Sequence, residues 1–190
     1  EMGYKLTLPR EINGDGRFFG RAKTLLIDKP AENEDWKKIY DGLDSYQFIR
    51  PGDIIVVENK VQDHAYFGNL NAQLAIRAGA VGALIDGLTR DKSDVDKLNF
   101  PVFSRGHYCL DIKYEGVVKS MNMPVRIGNI MIENGDFIFG DQDGSVVIPK
   151  LLWPEVRKKV LKGIEREWRI GQAVALGVHP KEILKKMGDF

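Results

Sequence analysis

Residues 68–91 limit the possible folds more than any other stretch: Gly-Asn-Leu-Asn-Ala-Gln-Leu-Ala-Ile-Arg-Ala-Gly-Ala-Val-Gly-Ala-Leu-Ile-Asp-Gly-Leu-Thr-Arg-Asp. Leu70, Leu74, Ala75 and Ala78 recur at helical spacing on one face, so a helix here can lie against a sheet. Gly79 stands where a helix end needs a residue that tolerates positive φ. Residues 80–85 are too short and too apolar for a surface helix and read as a strand covered on both faces. Asp86-Gly87 then reads as a turn. In open α/β sheets, the loop before a helix and the loop after the next strand emerge together at the carboxyl ends of the strands, where ligands bind. Residues 68–71 should therefore meet Arg90 and Asp91.

The remainder of the chain sets that unit in a layered fold. Residues 1–20 read as an irregular approach segment, residues 21–27 as a first strand, and residues 34–49 as a helix carrying Trp36, Ile39, Tyr40, Leu43 and Phe48. Pro51-Gly52-Asp53 is a turn before a continuous β-branched run at residues 54–57, the mark of a buried central strand. Beyond Arg90, a short polar helix and a strand at residues 100–103 are expected. Four short strands follow, at residues 125–127, 129–132, 137–139 and 145–148, separated by Gly128, Asn134-Gly135-Asp136 and Asp143-Gly144. Pro154 opens a long helix striped by Val156, Val160, Ile164 and Trp168, for which packing is the expected role. A last short helix after Pro180 should turn Ile183, Leu184 and Met187 inward. Alternating β and α followed by hairpins and closing helices implies an α/β layered sandwich with a mixed sheet, in a single domain over residues 1–190.

Composition narrows the function classes. Lys+Arg 28 against Asp+Glu 27 gives a net charge of +1, which offers no electrostatic case for nucleic acid or an anionic membrane. No apolar run approaches the roughly 20 residues of a membrane span, and no signal peptide is read, so a cytoplasmic protein is expected. Cys109, the one cysteine, cannot close an internal disulfide and is expected as a small core residue. His64, His107 and His179 are scattered without metal-ligand spacing, and structural roles are favoured for them.

Gly20-Arg-Ala-Lys-Thr, Arg50-Pro-Gly-Asp-Ile-Ile-Val-Val, the stretch at residues 68–91, Phe100-Pro-Val-Phe-Ser-Arg-Gly, Gly135-Asp-Phe-Ile-Phe-Gly-Asp-Gln-Asp-Gly-Ser-Val-Val-Ile-Pro and Gly177-Val-His-Pro-Lys-Glu occur in family order. Together they make the chain resemble the RraA-like family, regulators of ribonuclease E activity that include the class II 4-hydroxy-4-methyl-2-oxoglutarate aldolases. The resemblance implies a three-layer α/β sandwich like the swivelling phosphohistidine domain, assembled as a homotrimer or dimer of trimers with sites between subunits. It also implies that Glu1-Met-Gly-Tyr ends an N-terminal helix that begins outside this sequence.

Catalytic members carry Asp or Gly, twenty residues, then Arg-Asp, with an acidic residue three positions later in the Gly form. Here Asn69 stands at the first position, followed by Arg90, Asp91 and Asp94. The resemblance implies that Asp91 binds a divalent cation, Mg²⁺ or Mn²⁺, directly, with Asp94 holding a metal-bound water. Arg90 would pair with a pyruvyl oxygen, and the backbone amides of Gly68, Asn69, Leu70 and Asn71 would take the substrate carboxylate. The base would be a metal-bound water, since the motif offers no histidine in register. The implied activity is a carbon–carbon lyase acting on a 2-oxo acid, by retro-aldol cleavage or oxaloacetate decarboxylation through a pyruvate enolate. The alternatives are a non-catalytic regulator that binds a ribonuclease or another protein partner, and the same mechanism applied to a larger sugar acid.

Overall fold

The computed structural model describes residues 6–188, which fall into two compact units, Glu1–Lys150 and Leu151–Phe190. The expected helix end at residues 1–4 lies outside the described residues.

The first unit is built on an eight-stranded mixed sheet. Its centre is β1 (Phe18–Asp28), β2 (Asp53–Asn59) and β4 (Ala80–Thr89), paired in parallel with Ala22 beside Ile54 and Ile54 beside Gly82. Strand β4 gives one edge to β5 (Val102–His107) and the other to β2 as far as Asp86, after which β3 (Ala65–Phe67) takes over at Leu88 and Thr89. The free edge of β1 is shared by two antiparallel partners, β6 (Val117–Met121) toward its end and β9 (Phe137–Asp141) at its start. A separate hairpin joins β7 (Val125–Ile127) to β8 (Ile130–Ile132), and β10 (Gly144–Ile148) pairs with β9.

Strand alternation divides the apolar side chains between two cores. Leu25, Ile27, Ile55, Val57, Ala83 and Ile85 project to one face, where helix α1 (Asn69–Ala78), helix α2 (Lys92–Lys97) and a 3₁₀ helix over Trp36–Phe48 contribute Ala72, Ala75, Val95 and Ile39. Ala22, Ile54, Val56, Leu84 and Phe103 project to the other, where the β7–β8 hairpin supplies Val125, Ile127 and Ile132. On that inner face the sheet curls until residues 7–13 bridge its ends. Thr7 pairs with Val146 of β10, and Asn13 pairs with Ser104 of β5 through N–H···O bonds of 3.1 and 3.0 Å.

The mixed sheet, the two-sided burial and the hairpin-rich second half follow the sequence reading. Three local expectations change. Helix α1 buries Ala72 and Ala75, whereas Leu70 is 73% exposed and Leu74 also faces outward. Small residues let the helix axis sit close to the sheet, and the leucines are rotated away. Asp86-Gly87 is not a turn, because β4 must run on past the end of β2 to reach β3 and the last residues of β5. The polar cost is met by an ion pair between Asp86 and Arg105 of the adjacent strand. Cys109 is exposed rather than part of a core. Strands β3 and β6 were not anticipated, the first being three residues long.

The second unit contains α3 (Trp153–Ala175), with Pro154 in its first turn, and α4 (Pro180–Met187). The two helices contact each other, and His179 caps α4 by accepting the Lys181 N–H at 3.2 Å. The stripe on α3 is not packed: Val160, Ile164 and Trp168 are all at least half exposed. On α4, Ile183 is buried as expected but Leu184 is not.

Phe103 is fully buried and meets Phe18 edge-on, with ring centroids 4.7 Å apart. Phe103→Ala should therefore lower the unfolding free energy by about 3–5 kcal/mol. A urea titration with an unshifted midpoint would show that the inner core does not hold the sheet closed.

Candidate active site

Parallel pairing of β3 with β4 delivers two loops to one place. The Arg90 N–H donates to Phe67 O at 2.9 Å, so the residue after β4 is clamped to the end of β3 just before Gly68 opens α1. Gly68, Asn69, Leu70, Asn71, Arg90, Asp91 and Asp94 line a single cavity of about 260 Å³. The helix start and the Arg-Asp pair thus meet as the sequence led us to expect.

Asp91 is the pivot. Its backbone is left-handed, with φ 58°, a conformation that Asp tolerates better than most non-glycine residues. Its Oδ2 accepts the Asn69 N–H at 3.0 Å and lies 3.8 Å from Arg90 Nε. A Cβ on Gly68 would stand 2.6 Å from that same Oδ2 and 3.1 Å from Arg90 Cγ, so only glycine leaves the Asp91 carboxylate where it stands. The Asn69 amide is consequently already engaged. In the expected carboxylate cradle, the N–H groups of Leu70 and Asn71 remain, in the first turn where a helix supplies no intrahelical acceptor.

The side chains of 69 and 71 are committed elsewhere. Asn69 Oδ1 accepts from Gln73 Nε2 at 3.2 Å. The Asn71 amide donates to Tyr66 O at 3.0 Å, and its Oδ1 accepts the Tyr46 hydroxyl at 3.2 Å. Burial pushes the Tyr46 and Tyr66 phenols well above their ordinary range, so both stay protonated, and the neutral Tyr46 hydroxyl supports Asn71 at the start of α1.

Arg90 is held from a direction that the motif does not reveal. Its Nη1 lies 2.8 Å from Asp111 Oδ2, and Asp111 is fixed by an isolated bridge to Ala65 of β3. Asp111 stands in an irregular segment with no periodicity, and only the fold identifies it. His107 was also missed as a neighbour of the site. Strand register sets it opposite Thr89, whose Oγ1 lies 2.8 Å from His107 Nδ1. His107 borders a shallow depression together with Arg90, Asp91, Tyr108 and Cys109. Burial first, and then Lys92, hold its pKa below the usual histidine value, so at neutral pH the ring is uncharged.

Asp94 lies one turn into α2 and pairs with Lys97 Nζ at 2.8 Å through Oδ1. Asp91 and Asp94 are thus two carboxylates on one cavity. Among the described residues, no cluster of three or more His, Cys, Asp or Glu side chains could encase an ion. This donor set fits Mg²⁺ or a similar hard ion, which takes one or two carboxylates and keeps most of its waters. It does not fit an ion that needs a full cage of protein ligands.

Comparison with known proteins shows the family and the fold. The family model described as RraA-like, Aldolase/RraA, matches residues 3–147. A Halalkalibacterium halodurans protein provisionally named 4-hydroxy-4-methyl-2-oxoglutarate aldolase is 31% identical over 154 residues, covering 80% of this chain and 70% of its own. An uncharacterised protein of Methanocaldococcus jannaschii is 31% identical over 168 residues, covering 87% and 77%. The crystal structure of an uncharacterised Pseudomonas syringae protein superposes with a TM-score of 0.84 at 28% identity, covering 97% of this chain and 84% of that one. RraAS2 of Streptomyces coelicolor, described as an unusual member of the RNase ES inhibitor RraA protein family, shares the fold at a TM-score of 0.76 and 21% identity, covering 92% and 87%.

Gly68→Ala tests the close approach directly. The atoms in its way are side-chain ends, so the variant should melt within a few degrees of the parent while the Asp91 carboxylate leaves the Asn69 amide. Hydrogen exchange of that amide should rise by at least about tenfold, the equivalent of roughly 1.4 kcal/mol. Unchanged protection would remove close approach as the reason for glycine.

Proposed function

Because the chain belongs to the RraA-like (Aldolase/RraA) family, we propose that it is a divalent-metal-dependent carbon–carbon lyase acting on a 2-oxo acid. The observation that supports this most directly is the convergence of the Arg90 guanidinium, the Asp91 carboxylate and the start of α1 on one cavity. These are the groups needed to bind a carboxylate and stabilise the oxyanion beside it.

In this reading the substrate carboxylate sits against the Leu70 and Asn71 N–H groups, where the positive end of α1 favours an anion. Arg90, with one nitrogen committed to Asp111, directs its remaining N–H donors at the 2-oxo oxygen. Asp111 fixes the guanidinium plane before substrate arrives, so little reorganisation is needed as charge develops. In retro-aldol cleavage the C4 hydroxyl loses its proton, the C3–C4 bond breaks, and C4 leaves as a carbonyl. The bond's electron pair becomes the enolate of pyruvate, whose oxygen carries the charge that Arg90 faces, and a proton added at C3 completes pyruvate. Decarboxylation of oxaloacetate breaks the corresponding bond, releases CO₂ and leaves the same enolate. Asp91, with Asp94 behind it, would hold Mg²⁺ or Mn²⁺, which supplies Lewis-acid stabilisation of the same oxygen.

The reading also includes a homotrimer. Leu70 borders the cavity yet is exposed, and Leu74, one turn further along α1, is exposed as well, which is apolar surface that a second copy would cover. Light scattering should give a mass near three chains, and a monomer mass at micromolar concentration would remove the assembly from the proposal.

Pyruvate release from 4-hydroxy-4-methyl-2-oxoglutarate or oxaloacetate should stop with a chelator and return with Mg²⁺ or Mn²⁺. Arg90→Ala should lower kcat/KM by roughly ten- to a hundredfold, about 1.5–3 kcal/mol for a lost charge-assisted hydrogen bond. A protein indifferent to metal across a panel of 2-oxo acids would sink the lyase reading, and a silent Arg90→Ala would remove Arg90 from it.

A further inference from the structure

Arg90 is a wall between two cavities. Beside it lies a second and larger one, of about 420 Å³, bounded by Thr89 at the end of β4, by β5 from Val102 to His107, by α2 and by the loop at residues 13–15. The depression lined by Arg90, Asp91 and His107 borders both: it has Arg90 and Asp91 in common with the first cavity, and Arg90 and His107 in common with the second. A substrate whose carboxylate lies at the start of α1 can therefore extend past Arg90 into this space.

The wall chemistry defines what would fit. Phe67, Val95 and Phe100, all buried, and Val102 form an apolar part, with Phe67 and Phe100 stacked at 6.5 Å between centroids. The charges around it are already matched. Lys92 Nζ lies 3.2 Å from Asp15 and 2.8 Å from Asp96, while Arg90 is paired with Asp111. A carboxylate entering this space would meet two aspartates, Asp15 and Asp96, on the same wall, with Lys92 paired to both and the remaining Arg90 donors turned to the 2-oxo oxygen, so it would lose hydration with little gain. Neutral hydrogen-bonding groups are present instead, in Asn13, Thr89, His107 and Gln142.

We propose that this cavity takes the distal part of the substrate, and that it prefers there a neutral chain carrying methylene and hydroxyl groups, with substrates bearing a second carboxylate turned over more slowly. The proposal rests on the lyase reading above and names the substrate class for that site: a 4-hydroxy-2-oxo acid with an uncharged, partly apolar tail. In the synthetic direction, C3 of the pyruvate enolate bonds to the aldehyde carbon of an acceptor and the aldehyde oxygen takes a proton, so acceptor preference reports on the cavity.

The test uses the whole chain with Mg²⁺ and pyruvate. Exchange of the pyruvate methyl protons in D₂O reports enolate formation without any acceptor. Aldol formation is then compared for glyceraldehyde, which is neutral and hydroxylated, and glyoxylate, which brings a carboxylate. The parent protein should exchange the methyl protons and favour glyceraldehyde by at least about tenfold in kcat/KM, a difference of roughly 1.4 kcal/mol. Val102→Phe narrows the apolar part. Gln142→Trp obstructs the rim from the exposed turn between β9 and β10, where a large side chain is compatible with folding. Either should reduce the glyceraldehyde to glyoxylate ratio by about tenfold in a protein whose melting curve remains cooperative. Methyl exchange with a preference for glyoxylate, or a ratio unmoved by either variant, overturns the cavity assignment and leaves the lyase reading standing. Absence of exchange overturns both.

Discussion

The first unit depends on one constraint: β1, β2 and β4 have no face that can be left in water. Ile54, Val56 and Leu84 on one side and Ile55, Val57 and Ile85 on the other are all nearly inaccessible. Such strands need cover twice. Helices provide it on the outer face. On the inner face the sheet bends toward itself, so that a short hairpin and the approach segment complete the second core. With both faces closed, polar chemistry can collect only where the parallel strands end, and the Arg90 cavities lie there.

Much of this was legible in the sequence. The β-branched run at 54–57 announced a doubly buried strand, Gly79 a helix end, and the helix-then-strand pattern of residues 68–91 the meeting of two loops. What could not be read depended on partners remote in the chain. Asp86-Gly87 has the composition of a turn, and only the need for β4 to pair with β3 and β5 beyond the end of β2 keeps it extended. The leucines of α1 obey helical periodicity, but small residues decide which face comes close to the sheet, so Ala72 and Ala75 win the core. Asp111 has no pattern at all, and His107 gains meaning only from its register with Thr89. The stripe on α3 was correctly seen as helical. Periodicity does not say whether such a face is covered.

The cavity at Arg90 and Asp91 is organised by constraint. Asp91 adopts a left-handed backbone, accepts a helix-start amide, and touches the space that a methyl group on Gly68 would occupy. Arg90 is gripped by Asp111 on one side and approached by Asp91 on the other. The Tyr46 hydroxyl, kept neutral by burial, and the Tyr66 main-chain carbonyl brace Asn71. None of these supports is part of the Arg-Asp motif, yet they determine where its two charges stand.

The short strap at residues 7–13 has an effect beyond closing the inner core. A curled sheet that stopped at β5 and β10 would present two rows of unsatisfied N–H and C=O groups, each a template for another chain. Thr7 and Leu8 occupy one row and Asn13 the other, so a single segment of seven residues removes both hazards. The same loop continues into Asp15, which binds Lys92 beside the larger cavity. Closure of the sheet edges and the outline of the larger cavity therefore share one piece of backbone, and a change that loosens the strap would be felt in solubility and in the shape of that cavity together.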